Sequence, residues 1–232
     1  MVSKKILLLH GALGGRDQFT TLSEKLSDSF SVFSLNLEGH GGVKQTDRDF
    51  KIKYFAEGVI EWMDRYHHKK LDIFGYSMGG YVALYLAVHY PDRIGKIFTL
   101  GTKFFWNEQI AAKEASMMNT EGMEIKVPAF ANILKKRHTS PNNWKEVVEK
   151  TGGLLLALGK KQEVNSLEVK RIESRVRIGV GDKDNLVDIS EAKKLYELLP
   201  NAELMVLPAT PHPIEKVNPE KLALYIREFL SE

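Results

Sequence analysis

The chain has no cysteine at any of its 232 positions. That removes disulfides, thiolate metal sites and a cysteine nucleophile together, and leaves the redox compartment open. An excess of one charge is missing too. The 33 Lys and Arg stand against 30 Asp and Glu, a net of +3, so a sequence pI near 8.8 reflects near-balance and gives no argument for a nucleic-acid partner. Long apolar runs are absent: nothing approaches a membrane span. Ile6 to Leu9 is too short for the core of a secretory signal and runs into His10-Gly11 with no small-residue cleavage site. No membrane partner is expected, and the cytoplasm is the expected compartment. There are no repeats, low-complexity tracts or linkers. What is present, 43% hydrophobic and 27% charged residues, is ordinary for a globular chain able to bury a sizeable core.

Strand and helix signals alternate along most of the sequence. Lys5 to Leu9 is a continuous apolar run, as a parallel strand covered on both faces requires, and it ends in the glycine-rich loop His10 to Gly15. That loop starts a helix with Phe19, Leu22 and Leu26 on one face. Phe30 to Leu35 reads as a second strand, Glu38 to Gly42 turns the chain, and a helix follows from about Ile52 to Tyr66. Leu71 to Phe74 and Ile94 to Leu100 are strands flanking a helix that lasts until Pro91. From 103 to about 171 the rhythm changes. No convincing strand is found there, but three helical signals are: an Ala/Met-rich run from Gln109 to Met118, a segment after Pro128, and a helix opened by Ser140-Pro141 as N-cap and first-turn proline. This stretch holds more Lys and Arg than Glu and no Asp, which is best read as a solvated helical face.

Strand rhythm returns at Val176 to Val180, Asp188 is placed to cap a helix from about Ile189, and Leu204 to Leu207 makes a last strand. Pro219 to Leu230 closes the chain as a helix. The expected fold class is α/β: a doubly wound, mostly parallel sheet of about six strands with helices on both faces. Residues 1–102 and 172–232 would form the core domain, and 103–171 a helical cap inserted after the strand ending at Gly101.

One stretch organises the rest. In Gly75-Tyr76-Ser77-Met78-Gly79 an apolar strand breaks, presents a serine and restarts as a helix. A residue on so tight a turn holds strained backbone angles and brings the positions two before and two after it too close for side chains; Gly75 and Gly79 supply the clearance. Sites in open parallel sheets lie outside the carboxyl ends of the strands. Gathered there are His10 to Gly15, Asn36 to Gly41, Ser77, Gly101 to Lys103, Gly181 to Asp184 and Pro208 to Pro213. Asp182, Asp184 and Asp188 compete as the acidic partner of a histidine.

With Leu9-His10-Gly11 and its following glycines, Gly39-His40-Gly41, Gly75-Tyr76-Ser77-Met78-Gly79-Gly80, and Gly181-Asp182-Lys183-Asp184 followed by His212, the sequence resembles the α/β-hydrolase fold superfamily. The subgroup is that of small, cofactor-independent, esterase-like enzymes with a helical cap. The likeness spans nearly the whole chain and is least informative in the cap. It implies that Ser77 is the nucleophile, His212 the general base and then acid, and Asp184 the carboxylate that orients the imidazole. It implies an oxyanion hole from the backbone N–H groups of Ala12 and Met78, no cofactor and no metal. Two departures stand out. Many relatives carry an aspartate where this chain has Asn36, which removes the usual loop-bracing residue, and the familiar amino-terminal antiparallel hairpin is not expected.

Ser77 at the elbow argues against the aspartate-nucleophile relatives, the haloalkane dehalogenases and epoxide hydrolases. The expected function is hydrolysis of a carboxylic ester or thioester of a small molecule through an acyl-Ser77 intermediate. The alternatives are a carbon–carbon bond hydrolase or lyase using the same triad, and a non-catalytic binding module. Phe104 and Trp144 are expected to bind substrate, with cap-to-core packing as their competing role. His10 and His40 are expected to shape loops, and His67, His68, His89 and His138 to be exposed helix-end or cap residues with no metal spacing. Oligomeric state is not legible.

Overall fold

A computed structural model describes residues 4–231. Its strands are β1 (Lys4–Leu9), β2 (Phe30–Leu35), β3 (Leu71–Tyr76), β4 (Ile94–Leu100), β5 (Val176–Lys183) and β6 (Ala202–Pro211). They pair in the order β2-β1-β3-β4-β5-β6, every neighbour parallel. The apolar run of β1 shows why no polar alternation was visible. Ile6 and Leu8 pack with Phe19, Leu22 and Phe229 on one side of the sheet, and Leu7 and Leu9 with Phe55 and Val82 on the other. Both faces are covered, so both sets of side chains must be apolar.

On the first side lie α1 (Thr20–Leu26), entered through a 3-10 turn at Arg16–Phe19, and α10 (Pro219–Ser231). The second side holds α2 (Ile52–Arg65), α3 (Met78–His89) and α9 (Ile189–Leu198). Asp188 caps α9 as expected, its carboxylate accepting from the Ser190 N–H at 2.7 Å. No helix among the described residues is long and apolar enough to cross a membrane. Because strand order reverses between β1 and β3, the loops after these two strands open onto one crevice, the position where parallel sheets bind ligands.

A helical cap region follows β4: α4 (Glu108–Ala115), α5 (Thr120–Lys126), α6 (Pro128–Arg137), α7 (Trp144–Lys160) and α8 (Ser166–Val169). The Ser140-Pro141 helix start is corrected. The helix opens at Trp144 with Asn143 as N-cap, its side chain accepting from the Lys145 N–H. The residues before it are committed elsewhere. Asn142 is buried and donates to the carbonyls of Gly39 and Val43 at 3.0 and 2.7 Å while accepting from the Gln45 N–H at 3.1 Å. That tie from cap to core overrides the local helix-start signal. A second tie comes from Glu163, whose carboxylate accepts from the N–H groups of Ile52 and Lys53 and so caps α2 from the cap side.

The elbow glycines are required by contact. A Cβ on Gly79 would run into the Leu9 carbonyl oxygen, and one on Gly75 would lie 2.5 Å from the Gly80 Cα and 2.6 Å from the Gly79 oxygen. All are backbone atoms that cannot step aside. Gly75→Ala should therefore lower stability by about 3 kcal/mol or more. Gly58→Ala, on the exposed side of α2 with nothing within 4 Å, should raise it by up to about 1 kcal/mol. Urea unfolding of the two variants beside the parent checks the contrast.

Candidate active site

Ser77 joins β3 to α3 at φ 52° and ψ −117°, outside the ordinary regions for a residue with a side chain. Its N–H is held by the Leu100 carbonyl at 2.8 Å, and its carbonyl accepts from Thr102 Oγ1 at 3.1 Å. The end of β4 thus fixes the turn from both sides. The strain aims Oγ outward, and His212 Nε2 lies 3.3 Å from it.

His212 stands on the loop after β6, where the Tyr76 hydroxyl donates to its carbonyl at 3.0 Å. Its Nδ1–H donates to Asp184 Oδ2 at 2.8 Å. That bond assigns the tautomer: the proton is on Nδ1, and Nε2 is left bare toward the serine. Burial would push the Asp184 carboxyl up. The hydrogen bond and charge of His212, with the N–H groups of Val187 and Leu186 at 2.9 Å, outweigh it and hold the group below its ordinary value. Asp182 accepts from the Thr210 N–H, and Asp188 caps α9. The three aspartates are thereby separated by geometry. Gly101, at φ 60°, makes room for the pair: a Cβ there would lie 3.0 Å from Asp184 Oδ2 and 3.2 Å from the His212 ring.

The loop after β1 turns sharply, closed by the Gly14 N–H to the Gly11 carbonyl at 3.0 Å, with Leu13 at φ 57°. Ala12 and Met78 both face the cavity above Ser77. Met78 opens α3, where the first N–H groups have no intrahelical acceptor and the dipole is positive. Both loops are braced by polar side chains, His10 buried and Asn36 half-buried. His10 Nδ1 donates to the Gly11 carbonyl at 2.8 Å, and its Nε2 accepts from the Leu37 N–H at 3.0 Å. Asn36 accepts from the Arg16 N–H at 2.7 Å and donates to the Gly41 carbonyl at 2.8 Å. An amide therefore braces the second loop where relatives use a carboxylate.

His40 stands 5.0 Å from His10 and 5.5 Å from His138, ring centre to ring centre. All three are buried. Desolvation is the main force on each: it brings His10 down to about 4, His40 far below its ordinary value and His138 in the same direction. His138 and His68, expected to be exposed, are instead 2% and 7% exposed. Their signal was hidden because a histidine's burial depends on partners distant in sequence.

Between core and cap lies a cavity of about 410 Å³. Ser77, Met78, Ala12 and His212 form its floor, and cap residues including Met117, Met123, Leu154 and Leu158 form the opposite wall. Polar groups at its edge are already engaged. Lys103 pairs with Glu114 at 3.1 Å and donates to the Leu186 carbonyl, and Arg137 pairs with Asp17 at 3.0 Å. The substrate-binding expectation for Phe104 and Trp144 is corrected, because neither lines this space. Phe104 is fully buried behind Tyr81, stacked on it at 5.7 Å. Trp144 packs inside the cap under the ammonium groups of Lys135 and Lys145. Trp106 does line the cavity; one aromatic of the Phe104-Phe105-Trp106 run faces it, which sequence spacing alone could not select. Among the described residues, no group of three or more His, Asp or Glu side chains could hold a metal ion.

The model of the alpha/beta hydrolase fold matches residues 4–148. The chain belongs to the alpha/beta hydrolase fold family. Over 91 residues, 39% of this chain, it is 37% identical to a pimeloyl-acyl-carrier-protein methyl ester esterase from Neisseria meningitidis, and the match spans only 33% of that protein. Over 99% of its length it is 24% identical to a putative 2-succinyl-6-hydroxy-2,4-cyclohexadiene-1-carboxylate synthase from Bacillus subtilis, covering 91% of that protein. A meta-cleavage product hydrolase from Pseudomonas fluorescens IP01 superposes with a TM-score of 0.82 at 18% identity, covering 99% of this chain and 91% of that one. At such identity the likeness is one of fold. In this alpha/beta hydrolase fold chain a Ser-His-Asp constellation stands at the strand ends beneath a cap.

The buried histidines give this alpha/beta hydrolase a pH-dependent stability. Below pH 6.5 the unfolded chain takes up a proton at His10 that the folded loop refuses until about pH 4. The folded state then binds fewer protons, so stability falls as pH drops through that window and is unaffected by this group above pH 7. His10 should account for about 2 kcal/mol of loss between pH 7 and pH 5. Urea unfolding at the two pH values, repeated on His10→Asn, should show a smaller loss in the variant; equal losses would refute the assignment.

Proposed function

We propose that this chain cleaves a small, largely apolar carbonyl compound at its acyl carbon, with Ser77 as nucleophile. The relay Asp184, His212, Ser77, opening onto the floor of an apolar cavity, is the observation that carries this reading. His212 Nε2 takes the Ser77 proton as Oγ attacks, and Asp184 favours the imidazolium that results. The oxygen of the tetrahedral intermediate would be met by the N–H groups of Ala12 and Met78, each such donor contributing about 3 kcal/mol. The imidazolium then protonates the leaving group, and water releases the acyl group by the same steps in reverse. Substrate entry from the cap side would bring the acyl portion against Met117, Met123 and the α7 leucines.

For the bond broken, we place carbon–carbon cleavage, by hydrolysis or lysis, ahead of ester or thioester hydrolysis. What supports this order is a 2-hydroxy-6-oxo-6-phenylhexa-2,4-dienoate hydrolase from Rhodococcus, a hydrolase whose named substrate has no ester, matching over 99% of this chain; a putative esterase/lipase from Haemophilus influenzae, matching over 98%, stands on the other side. A carbon leaving group must depart as an enolate, so the substrate would hold a second carbonyl β, or vinylogous, to the one attacked. The ester reading is kept by the 37% identity to the methyl ester esterase, over a third of that protein's length.

The test compares β-diketones and dienone acids with p-nitrophenyl esters, on the parent, Ser77→Ala and Asp184→Asn. Both variants should lose about 10⁴-fold or more in kcat against every substrate turned over. Higher kcat/KM for diketones supports carbon–carbon cleavage, and turnover of esters alone puts the second reading first. Turnover that survives Ser77→Ala, or failure of a fluorophosphonate to add its mass to the parent chain, would overturn the nucleophile assignment.

A further inference from the structure

Two side chains of the cap converge on one carbonyl beside the oxyanion loop. Arg137, the last residue of α6, donates from Nη1 to the Leu13 oxygen at 3.2 Å, and His138 donates from Nε2 to the same oxygen at 3.0 Å. The His138 tautomer follows from its other partner. The Gly41 N–H donates to Nδ1 at 3.2 Å, so the ring proton is on Nε2. Both groups are enclosed, His138 at 2% exposure and the Arg137 side chain at 7%. A salt bridge from Arg137 to Asp17 fixes the guanidinium.

What they hold is a strained residue. Leu13 is the third residue of the Gly11–Gly14 turn, at φ 57°, where such turns ordinarily place glycine or asparagine. A leucine in that conformation relaxes toward negative φ unless its surroundings fix it. Relaxation would turn the Leu13–Gly14 peptide, whose N–H donates to the Gly11 carbonyl at 3.0 Å, and that carbonyl belongs to the same peptide as the Ala12 N–H. We propose that His138 and Arg137 are positioning residues of the oxyanion hole: by holding the Leu13 carbonyl from the cap, they keep the Ala12 N–H aimed at the position above Ser77. Seating of the cap and assembly of the oxyanion hole are then one event, because the same two side chains belong to both. The inference rests on the Ser77 mechanism and the role given to Ala12 above.

The two ring nitrogens of His138 provide the test. His138→Asn reaches only the Gly41 side, whereas His138→Gln places an amide N–H where Nε2 stood, toward Leu13. The readout is inactivation by a fluorophosphonate, in which Ser77 Oγ bonds to phosphorus, fluoride leaves, the serine proton passes to His212 and the phosphoryl oxygen occupies the oxyanion hole. In His138→Asn the maximal inactivation rate should fall about tenfold, while the half-saturating probe concentration stays within about twofold. His138→Gln should recover most of the rate. If His138→Asn does not fold, Arg137→Lys, which leaves a cation for Asp17 but loses the fork to Leu13, should show the same selective loss. An undiminished rate in the asparagine variant overturns the proposal, as does a loss that glutamine fails to restore. A parent chain that the probe does not label removes the Ser77 reading and this inference with it, whereas a labelled parent with unaltered variants removes this inference alone.

Discussion

Helix α3 starts in contact with the end of β1, and the rest of the site depends on that contact. Gly79 lies against the carbonyl oxygens of Leu9 and His10 so closely that no side chain fits between them. This approach brings the turn that carries Ser77 beside the turn that carries Ala12. A single backbone-to-backbone distance therefore sets the separation between the Ser77 turn and the Ala12 turn. The Leu100 carbonyl, received by the Ser77 N–H, locks the same turn from the opposite neighbour. With β1 and β4 both gripping the end of β3, the strained angles at Ser77 have nowhere to relax.

Much of the core was legible because parallel strands covered on both faces leave an unambiguous mark. Phe30–Leu35 and Ile94–Leu100 have the bounds read from the sequence, and the capping residue of α9 was plain from Asp188. Chain order and strand-end position also brought Ser77, Asp184 and His212 to one place, though three aspartates looked alike until Thr210 and the α9 N-terminus claimed two of them. The cap was less legible. Its helices are short, and what fixes them comes from afar: Asn142 binds residues about a hundred positions earlier, so the proline before it could not be read by local rules. Phe104, Phe105 and Trp106 illustrate the same limit, since composition says that a run is aromatic and only docking decides which ring meets the cavity.

Neutral polar groups stiffen the loops around the site alongside Arg137. His10, His40 and His138 sit where charged side chains would have to be desolvated. Keeping them uncharged avoids the penalty of burying ions. The Asp184 carboxylate that meets the imidazole is itself steadied by two backbone N–H groups.

Methionine lines the cavity at Met78, Met117, Met118 and Met123, four of the seven in the chain. Thioether side chains turn about three bonds and polarise easily, so a wall made of them has no single contour. Such a container is elastic: it accommodates a guest by reshaping instead of rejecting it by collision. For the reaction proposed above, selection would then fall to length, polarity and the placement of the reacting carbonyl, and much less to the outline of the remaining carbon skeleton. Tolerance among homologous substrates is thus built into the composition of the wall, while the demand for accuracy is confined to the few atoms around Ser77.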